Sequence, residues 1–313
     1  MPQPAINTII SDKAVESYIF QALENQADRS WTGSVANQFS STQLTQTYGG
    51  VGNVPAVREW LGAKVLNSLK EYSISITNKD WEATLEVKRK DLVRDKTGQL
   101  LMKIGQLAER AAQHDEKILS ALIDTGDDAD IGLAFDGQYF FDTDHSFNNS
   151  GTVNNDLTYD IATTTAPTAT EAANSIMYTI QQMYGFKDDQ GEPTNQGAKS
   201  FTVMCPVTFW APFQQAINTQ FLTNGVTNPI MGQGLQIKVV ANPRLTWTTA
   251  FAVFINDTTT KPFIIQTEEA PRIEILGVDS DYAFHNASHL YSVIKAGNVG
   301  YGDFTKAALC TYV

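Results

Sequence analysis

The residues with the clearest potential for chemistry are Asp142-Thr143-Asp144-His145, which place two carboxylates and an imidazole close together. These groups can ligate a divalent metal ion. However, the sequence has no second histidine cluster with metal-ligand spacing, and a turn held by hydrogen bonds from its Asp side chains explains the same residues more simply. The sequence therefore favours a structural turn. A metal-dependent enzyme using Asp142, Asp144 and His145 remains the alternative.

Motifs for nucleophilic or nucleotide chemistry are absent from the sequence. It contains neither a Gly-x-Ser-x-Gly elbow nor a phosphate-binding Gly-x-x-x-x-Gly-Lys-Ser/Thr loop. The two cysteines, Cys205 and Cys310, stand in no protease or redox motif. They are too few for a disulfide scaffold and are typical of a reducing compartment, with a single bridge left open. We therefore predict neither catalysis nor a cofactor.

The amino-acid composition limits the kinds of molecule that this protein can bind. The chain has 313 residues, with 22 Lys and Arg against 34 Asp and Glu, which gives a net charge of −12. A polyanion is therefore an unfavourable ligand for the protein as a whole. The sequence contains 42% hydrophobic residues, enough to build a core. It shows no signal peptide and no apolar run long enough to cross a membrane, so we expect no membrane association.

The first part of the chain shows elements that cannot stabilise themselves. Ser11 to Asp28 and Pro55 to Leu69 have helical periodicity, and the polar stretch from Ser30 to Gly52 is typical of an extended arm. From Tyr72 to Leu92 the apolar residues alternate around the turn-forming Asn78-Lys79-Asp80, which predicts a β-hairpin. An isolated hairpin is marginally stable in water, so this region needs a neighbouring surface.

Charge along the hairpin and the following segment is dense but balanced. Between Lys79 and Lys96, six basic residues face five acidic ones. A nucleic-acid interface would be one-sidedly basic, so the pattern suits contact with another protein surface. A solvated hairpin explains it equally well.

Thr97 to Ile123 is the longest helical pattern, and at 1.5 Å per residue it predicts one helix of about 40 Å. Beyond it, Thr168 and Glu171 form a capping box for a helix to Tyr184, and Pro206 opens a helix to about Phe221. The remaining apolar runs predict strands at Phe201–Cys205, Leu235–Val240, Phe251–Ile255, Lys261–Gln266, Arg272–Leu276, Tyr291–Ile294 and Ala307–Tyr312, with Gly297, Gly300 and Gly302 separating the last two.

Three blocks resemble the Mu-like phage major head subunit family, the gpT-type major capsid proteins. They are Pro55-Ala56-Val57-Arg58-Glu59-Trp60-Leu61-Gly62, then Asn78 to Asp91, and Phe135-Asp136-Gly137-Gln138-Tyr139-Phe140-Phe141-Asp142-Thr143-Asp144-His145. The third block is the most specific. The resemblance runs from about residue 40 to the end of the chain.

The resemblance implies an α+β protein with the HK97-like capsid fold. On that plan, residues 1–57 are the N-terminal arm, and 58–134 begin the P-domain, with the extended E-loop at 72–92 and the spine helix at 97–123. Residues 135–259 are then the A-domain, and 260–313 supply the C-terminal strands of the P-domain.

The function implied is that of a non-enzymatic capsid protein of a tailed phage or Mu-like prophage. It would form pentamers and hexamers of an icosahedral shell around double-stranded DNA, assembled in the bacterial host cytoplasm. Its implied partners are a separate scaffolding protein, a portal and a decoration protein, with no membrane and no sequence-specific DNA binding. An encapsulin-like shell around cargo enzymes is an alternative on the same fold.

Residues for contact between subunits are expected at the joint of arm and hairpin and along the charged hairpin. They are Arg58, Glu59, Trp60, Lys79, Trp81, Glu82, Glu86, Lys88, Arg89 and Lys90.

Overall fold

A computed structural model describes residues 21, 30–49, 73–94, 98–128, 132–222, 225, 227–277 and 280–313. The helices predicted at Ser11 to Asp28, apart from residue 21, and at Pro55 to Leu69 lie outside these residues. No helix in the described ranges combines the length and the apolar character that a membrane span requires.

Helices and strands both contribute to the structure. The helices are α1 Thr32–Val35, α2 Arg89–Arg94, α3 Gln99–Ala112, α4 His114–Asp124, α5 Ala169–Tyr184, α6 Trp210–Asn218 and α7 Asp281–Asn286. The strands are β1 Ala36–Ser40, β2 Thr45–Gly49, β3 Ser73–Thr77, β4 Lys79–Lys88, β5 Asp156–Tyr159, β6 Ser200–Cys205, β7 Gln236–Ala241, β8 Ala250–Ile255, β9 Phe263–Leu276, β10 Ser288–Tyr301 and β11 Ala307–Tyr312. Short 3₁₀ helices cover Val207–Phe209 and Phe304–Lys306.

The strands form three sheets. One has the order β1-β9-β10-β4, the second β5-β11-β8-β6-β7, and β2 pairs with β3 as a separate antiparallel ribbon. In the first sheet only β1 runs parallel to its neighbour, whereas the second is mixed, with the parallel pairs β11–β5 and β6–β7. The five-stranded sheet, with α5 and α6 packed on it, holds most of the larger core.

A smaller apolar cluster joins helix α3 to the four-stranded sheet. Ile104 and Ala108 of α3 pack with Val87, Tyr291 and Val293 of the sheet, and all five are buried. Ile104 and Ala108 lie on one face because they are four residues apart in a helix. Burying the larger side chains contributes about 1.5–3 kcal/mol each.

The predicted hairpin at Tyr72 to Leu92 is wrong in its pairing, although both strands exist. β3 pairs with β2, from Thr45 opposite Thr77 to Gly49 opposite Ser73, and β4 pairs with β10. Asn78, between β3 and β4, is buried, and its backbone N–H donates to the Leu44 carbonyl at 2.7 Å. The turn signal at Asn78 therefore marks a point where the chain leaves one sheet for another.

The single helix predicted from Thr97 to Ile123 is also corrected. It consists of α3 and α4, with Gln113 between them at φ −76° and ψ 0°. The first turn of α4 carries Asp115, which forms an ion pair with Lys295 of β10, and His114 packs against Trp81 of β4. These contacts hold the start of α4 to the sheet, where the helical path changes.

Most strands predicted in the second half are confirmed, and so is the capping box of Thr168 and Glu171 at the start of α5. The runs at Lys261–Gln266 and Arg272–Leu276 belong to one strand, β9, and β10 continues through Gly297 and Gly300. The helix predicted from Pro206 to Phe221 is shorter, a 3₁₀ turn followed by α6.

The strands of residues 260–313 are divided between two sheets. β11 lies between β5 and β8 in the five-stranded sheet, whereas β9 and β10 lie in the four-stranded sheet. Ala307, Ala308 and Cys310 are buried there. Their apolar side chains gain more burial in the larger core than an edge position would give.

Candidate functional site

His145, the residue singled out for metal binding, is buried in the core. Its Nδ1 lies 2.8 Å from Oδ2 of Asp136, and its ring stacks on Phe304 with a centroid separation of 3.7 Å. Neither partner in the Asp136–His145 pair reaches solvent to more than 2% of its side chain. Both ring nitrogens are engaged, since Nε2 lies 3.3 Å from the Phe140 carbonyl oxygen. The imidazole therefore makes its contacts within the protein interior.

Asp144 is exposed, unlike His145, and both it and Asp142 make local contacts. Asp142 Oδ1 accepts from the Thr143 backbone N–H at 2.6 Å, and Asp144 Oδ1 accepts from the side chain of Gln138 at 3.0 Å. A hydrogen bond with Asp142, followed by the charge of that residue, raises the pKa of Asp144. Across the described residues, no three His, Cys, Asp or Glu side chains group as a metal ion would require.

Asn155 completes this turn and was not found from the sequence. Its Oδ1 accepts from the Asp142 backbone N–H at 2.9 Å, and its Nδ2 donates to the carbonyl oxygens of Phe140 and Phe304. The side chain is fully buried. One amide thus satisfies groups from two distant segments, a role that no local pattern around residue 155 signals.

The two cysteines are free and buried, which agrees with the absence of a disulfide framework. Burial raises the pKa of both Cys205 and Cys310 to about 12. A thiol with that pKa is almost entirely protonated near neutral pH, and it is a poor nucleophile. Neither residue has the character of a catalytic cysteine.

The ribbon of β2 and β3 is attached to the four-stranded sheet by a buried amide network. Gln266 of β9 is 1% exposed, its Oε1 accepts from the Tyr48 hydroxyl at 2.8 Å, and its Nε2 donates to Asn78 Oδ1 at 2.6 Å. Ile76 fills the space above Gly300, where an added Cβ would lie 2.5 Å from Ile76 Cδ1. The base of the ribbon is therefore held firmly, and its two strands flank residues 50–72, which lie outside the described residues.

The residues predicted for contact between subunits differ in their exposure to solvent. Lys79, Glu82, Glu86 and Lys88 are exposed along β4, and Arg89 and Lys90 follow in α2, also exposed. Trp81 instead faces the protein: its Nε1 donates to the Gly297 carbonyl oxygen at 2.9 Å, and its ring centroid lies 4.3 Å from that of His114. Arg58, Glu59 and Trp60 lie outside the described residues.

Most of these charged residues lie on β4, a strand at the edge of its sheet. Within the described residues, β10 is the only strand that pairs with it. Charged residues along an edge discourage uncontrolled pairing with other chains. The exposed charges thus lie along a sheet edge, where they oppose strand pairing with other chains.

Comparison with solved structures identifies the fold. The protein superposes on a chain of the procapsid of bacteriophage JBD30 with a TM-score of 0.56 and 21% sequence identity, covering 96% of this chain and 74% of that one. The architecture is the HK97-like capsid fold.

Sequence comparison then gives the family. Residues 12–166, just under half of the chain, match the family model described as Mu-like prophage major head subunit gpT. It is 32% identical over 111 residues to the Mu-like prophage FluMu major head subunit of Haemophilus influenzae, covering 36% of this chain and 35% of that protein. It is also 32% identical over 114 residues to the major capsid protein of Escherichia phage Mu, with the same coverage. The chain thus spans about a third of the length of the curated relatives it matches.

Proposed function

We propose that this protein is the major capsid subunit of a tailed phage or Mu-like prophage and has no enzymatic activity. The observation that carries the proposal is the gpT family match over residues 12–166, joined to an HK97-like fold over nearly the whole chain. The candidate chemistry supports it as well, because His145 and both cysteines are buried in structural roles. The family match favours this function over an encapsulin-like shell, which would share the fold.

The assembly consists of pentamers and hexamers that close into an icosahedral shell around double-stranded DNA. A contact between different surfaces of identical subunits generates rings when the rotation closes. The net charge of −12 supports DNA as contents that are enclosed without sequence-specific binding. Neutralising phosphates requires clustered Lys and Arg, and an acidic wall leaves DNA free to be packaged and released.

Surfaces for contact between subunits are proposed at the β2–β3 ribbon and at the edge of β4. Because its two strands flank residues 50–72, the ribbon supports an E-loop over residues 45–77, in place of the 72–92 that the resemblance implies. The exposed charges of β4 and α2 help to set register, each exposed pair contributing about 0–1 kcal/mol. The joint at Arg58, Glu59 and Trp60 stays a prediction.

Further partners follow from the same function. We expect a separate scaffolding protein, a portal and a decoration protein, with assembly in the bacterial cytoplasm before the subunit becomes part of the virion. The remaining parts of the domain plan, with the arm before residue 58 and an A-domain built on the five-stranded sheet, also belong to this proposal.

The experiment is electron microscopy of the expressed protein, with and without its scaffolding protein, followed by analysis of particle contents after phage induction. We expect closed shells, and nuclease-resistant double-stranded DNA inside mature particles. Shells that enclose an enzyme and no DNA would support the encapsulin-like alternative. A protein that forms no shells under either condition would contradict both.

A further inference from the structure

Phe284 is exposed on a well-anchored element at the tip of the four-stranded sheet. At 84% exposure, it is the most exposed large hydrophobic side chain among the described residues. Its helix, α7, is capped by Ser280, whose Oγ accepts from the Ala283 backbone N–H at 3.1 Å. After the helix, the Ala287 carbonyl oxygen accepts from the Arg89 backbone N–H at 2.9 Å. The ring is therefore held outward, and covering it with a partner surface would remove its apolar area from water.

A recess of matching size lies on the same domain. It has a volume of about 120 Å³ and opens between β4, β10 and the junction of α3 and α4. Trp81, Ala83, Ala111 and Val293 provide a largely apolar lining. An enclosed apolar cavity of about 150 Å³ can hold a benzene molecule, so an open recess of this volume can accept most of a phenyl ring.

Charges beside the two features are complementary. Asp281 precedes Phe284 by three residues in α7, which places both side chains on one face of the helix. At the recess, Arg110 is exposed and free to meet a carboxylate, whereas Lys295 already pairs with Asp115 and Glu82 accepts a hydrogen bond from Thr84. Phe284 and Asp281 thus form an acidic, aromatic knob that is complementary to an apolar recess with an available cation, Arg110.

The knob cannot reach the recess of its own chain. The recess lies where Trp81 pairs with Lys295, and the tip begins where Lys88 pairs with Ser288. The seven residue-to-residue steps between these pairs span roughly 23 Å along the strand. Any docking must therefore join two copies through different surfaces.

We propose that Phe284 and Asp281 of one subunit dock into the recess formed by Trp81, Ala111 and Val293 of a second copy, with Asp281 meeting Arg110. This inference rests on the proposed shell function and identifies one of its contacts. Such a contact is heterologous, which is the kind that generates rings or extended arrays.

Disulfide trapping tests the contact directly. Chains carrying Phe284→Cys and chains carrying Ala111→Cys are co-expressed, and purified assemblies are oxidised and run on non-reducing gels. We expect a disulfide-linked dimer band that needs both variants. Background from Cys205 and Cys310 is low because both are buried and their thiol pKa is about 12.

Met102→Cys is the matched control for Ala111→Cys. Met102 is exposed on the same helix, nine residues away, which is roughly 13 Å along the axis. Equal crosslinking of Phe284→Cys to both positions, or to neither, would overturn the proposed docking.

Assembly yield separates this inference from the proposed function. We expect Phe284→Asp to lower the yield of shells at least tenfold and Phe284→Leu to keep most of it, with the melting temperature of the free subunit unchanged in both. Normal shells from Phe284→Asp would refute the docking and leave the capsid function intact. If the unaltered protein forms no shells, both proposals fail.

Discussion

At the scale of single residues, the buried pair of Asp136 and His145 explains why a sequence motif that resembles a metal site has a structural role. The motif shows two carboxylates and an imidazole in sequence, yet folding turns His145 into the core and leaves Asp144 exposed. A metal site would need both kinds of ligand to converge on one point. Two partners of His145, Asp136 and Phe140, lie in its own sequence block, and the fold brings the third, Phe304, from near the end of the chain.

This difference predicts unequal effects of two alanine substitutions. His145→Ala should lower the free energy of unfolding by about 2–4 kcal/mol, because the buried Asp136 carboxylate loses its hydrogen-bond partner and a cavity forms beside Phe304. Asp144→Ala should change it by less than about 0.5 kcal/mol, since its side chain is exposed. Denaturant unfolding of both variants measures the contrast. Equal losses, together with a metal ion in the purified protein, would restore the metal-site hypothesis.

At the scale of elements, the sequence predicts strands better than it predicts their partners. Alternation in Ser73–Thr77 and Lys79–Lys88 identifies both strands correctly, because it reports which faces are half-buried. It cannot report that the partner of β3 begins at Thr45, or that β4 pairs with a strand two hundred residues away. Asn78 is wrongly predicted as a hairpin turn for the same reason, since its side chain forms hydrogen bonds with Gln43 and Gln266, both distant in sequence.

The ribbon gives a prediction at this scale. Gln266→Leu keeps the size of the side chain but removes its hydrogen bonds to Tyr48 and Asn78. The loss of about 1–3 kcal/mol should speed amide hydrogen exchange in β2 and β3 roughly 5- to 150-fold, with little change in β10. Thr47→Ala is the control, because it removes only the exposed bond between Thr47 and Ser75. Equal acceleration in β10 would show that the whole sheet is destabilised, contrary to this prediction.

At the scale of the whole molecule, the described residues combine two well-packed sheets with surfaces that a single copy leaves open. The large core runs from the five-stranded sheet into Phe263, Ile265 and Tyr301 of the other sheet, so the body can fold as one unit. The ribbon, the edge of β4 and the ring of Phe284 lie outside that core. Their complements are expected on sister subunits, and the net charge of −12 disfavours binding to DNA.

The charge predicts weak binding to nucleic acid. Free subunits with a net charge of −12 should show no saturable binding to a fluorescent double-stranded oligonucleotide at about 150 mM salt, because binding depends on neutralising phosphates. Fluorescence anisotropy across a salt series measures this. Micromolar affinity that falls steeply with salt would reveal a basic surface and would argue against enclosure without binding.

We propose that the β2–β3 ribbon and the edge of β4 are covered only when copies of this chain assemble into a closed shell. Single-particle cryo-electron microscopy of the assembled protein tests it most directly. We predict an icosahedral reconstruction with pentamers and hexamers, in which neighbouring copies cover the β2–β3 ribbon and the edge of β4. A uniform, fully folded monomer at high concentration, with or without its scaffolding protein, would contradict the account.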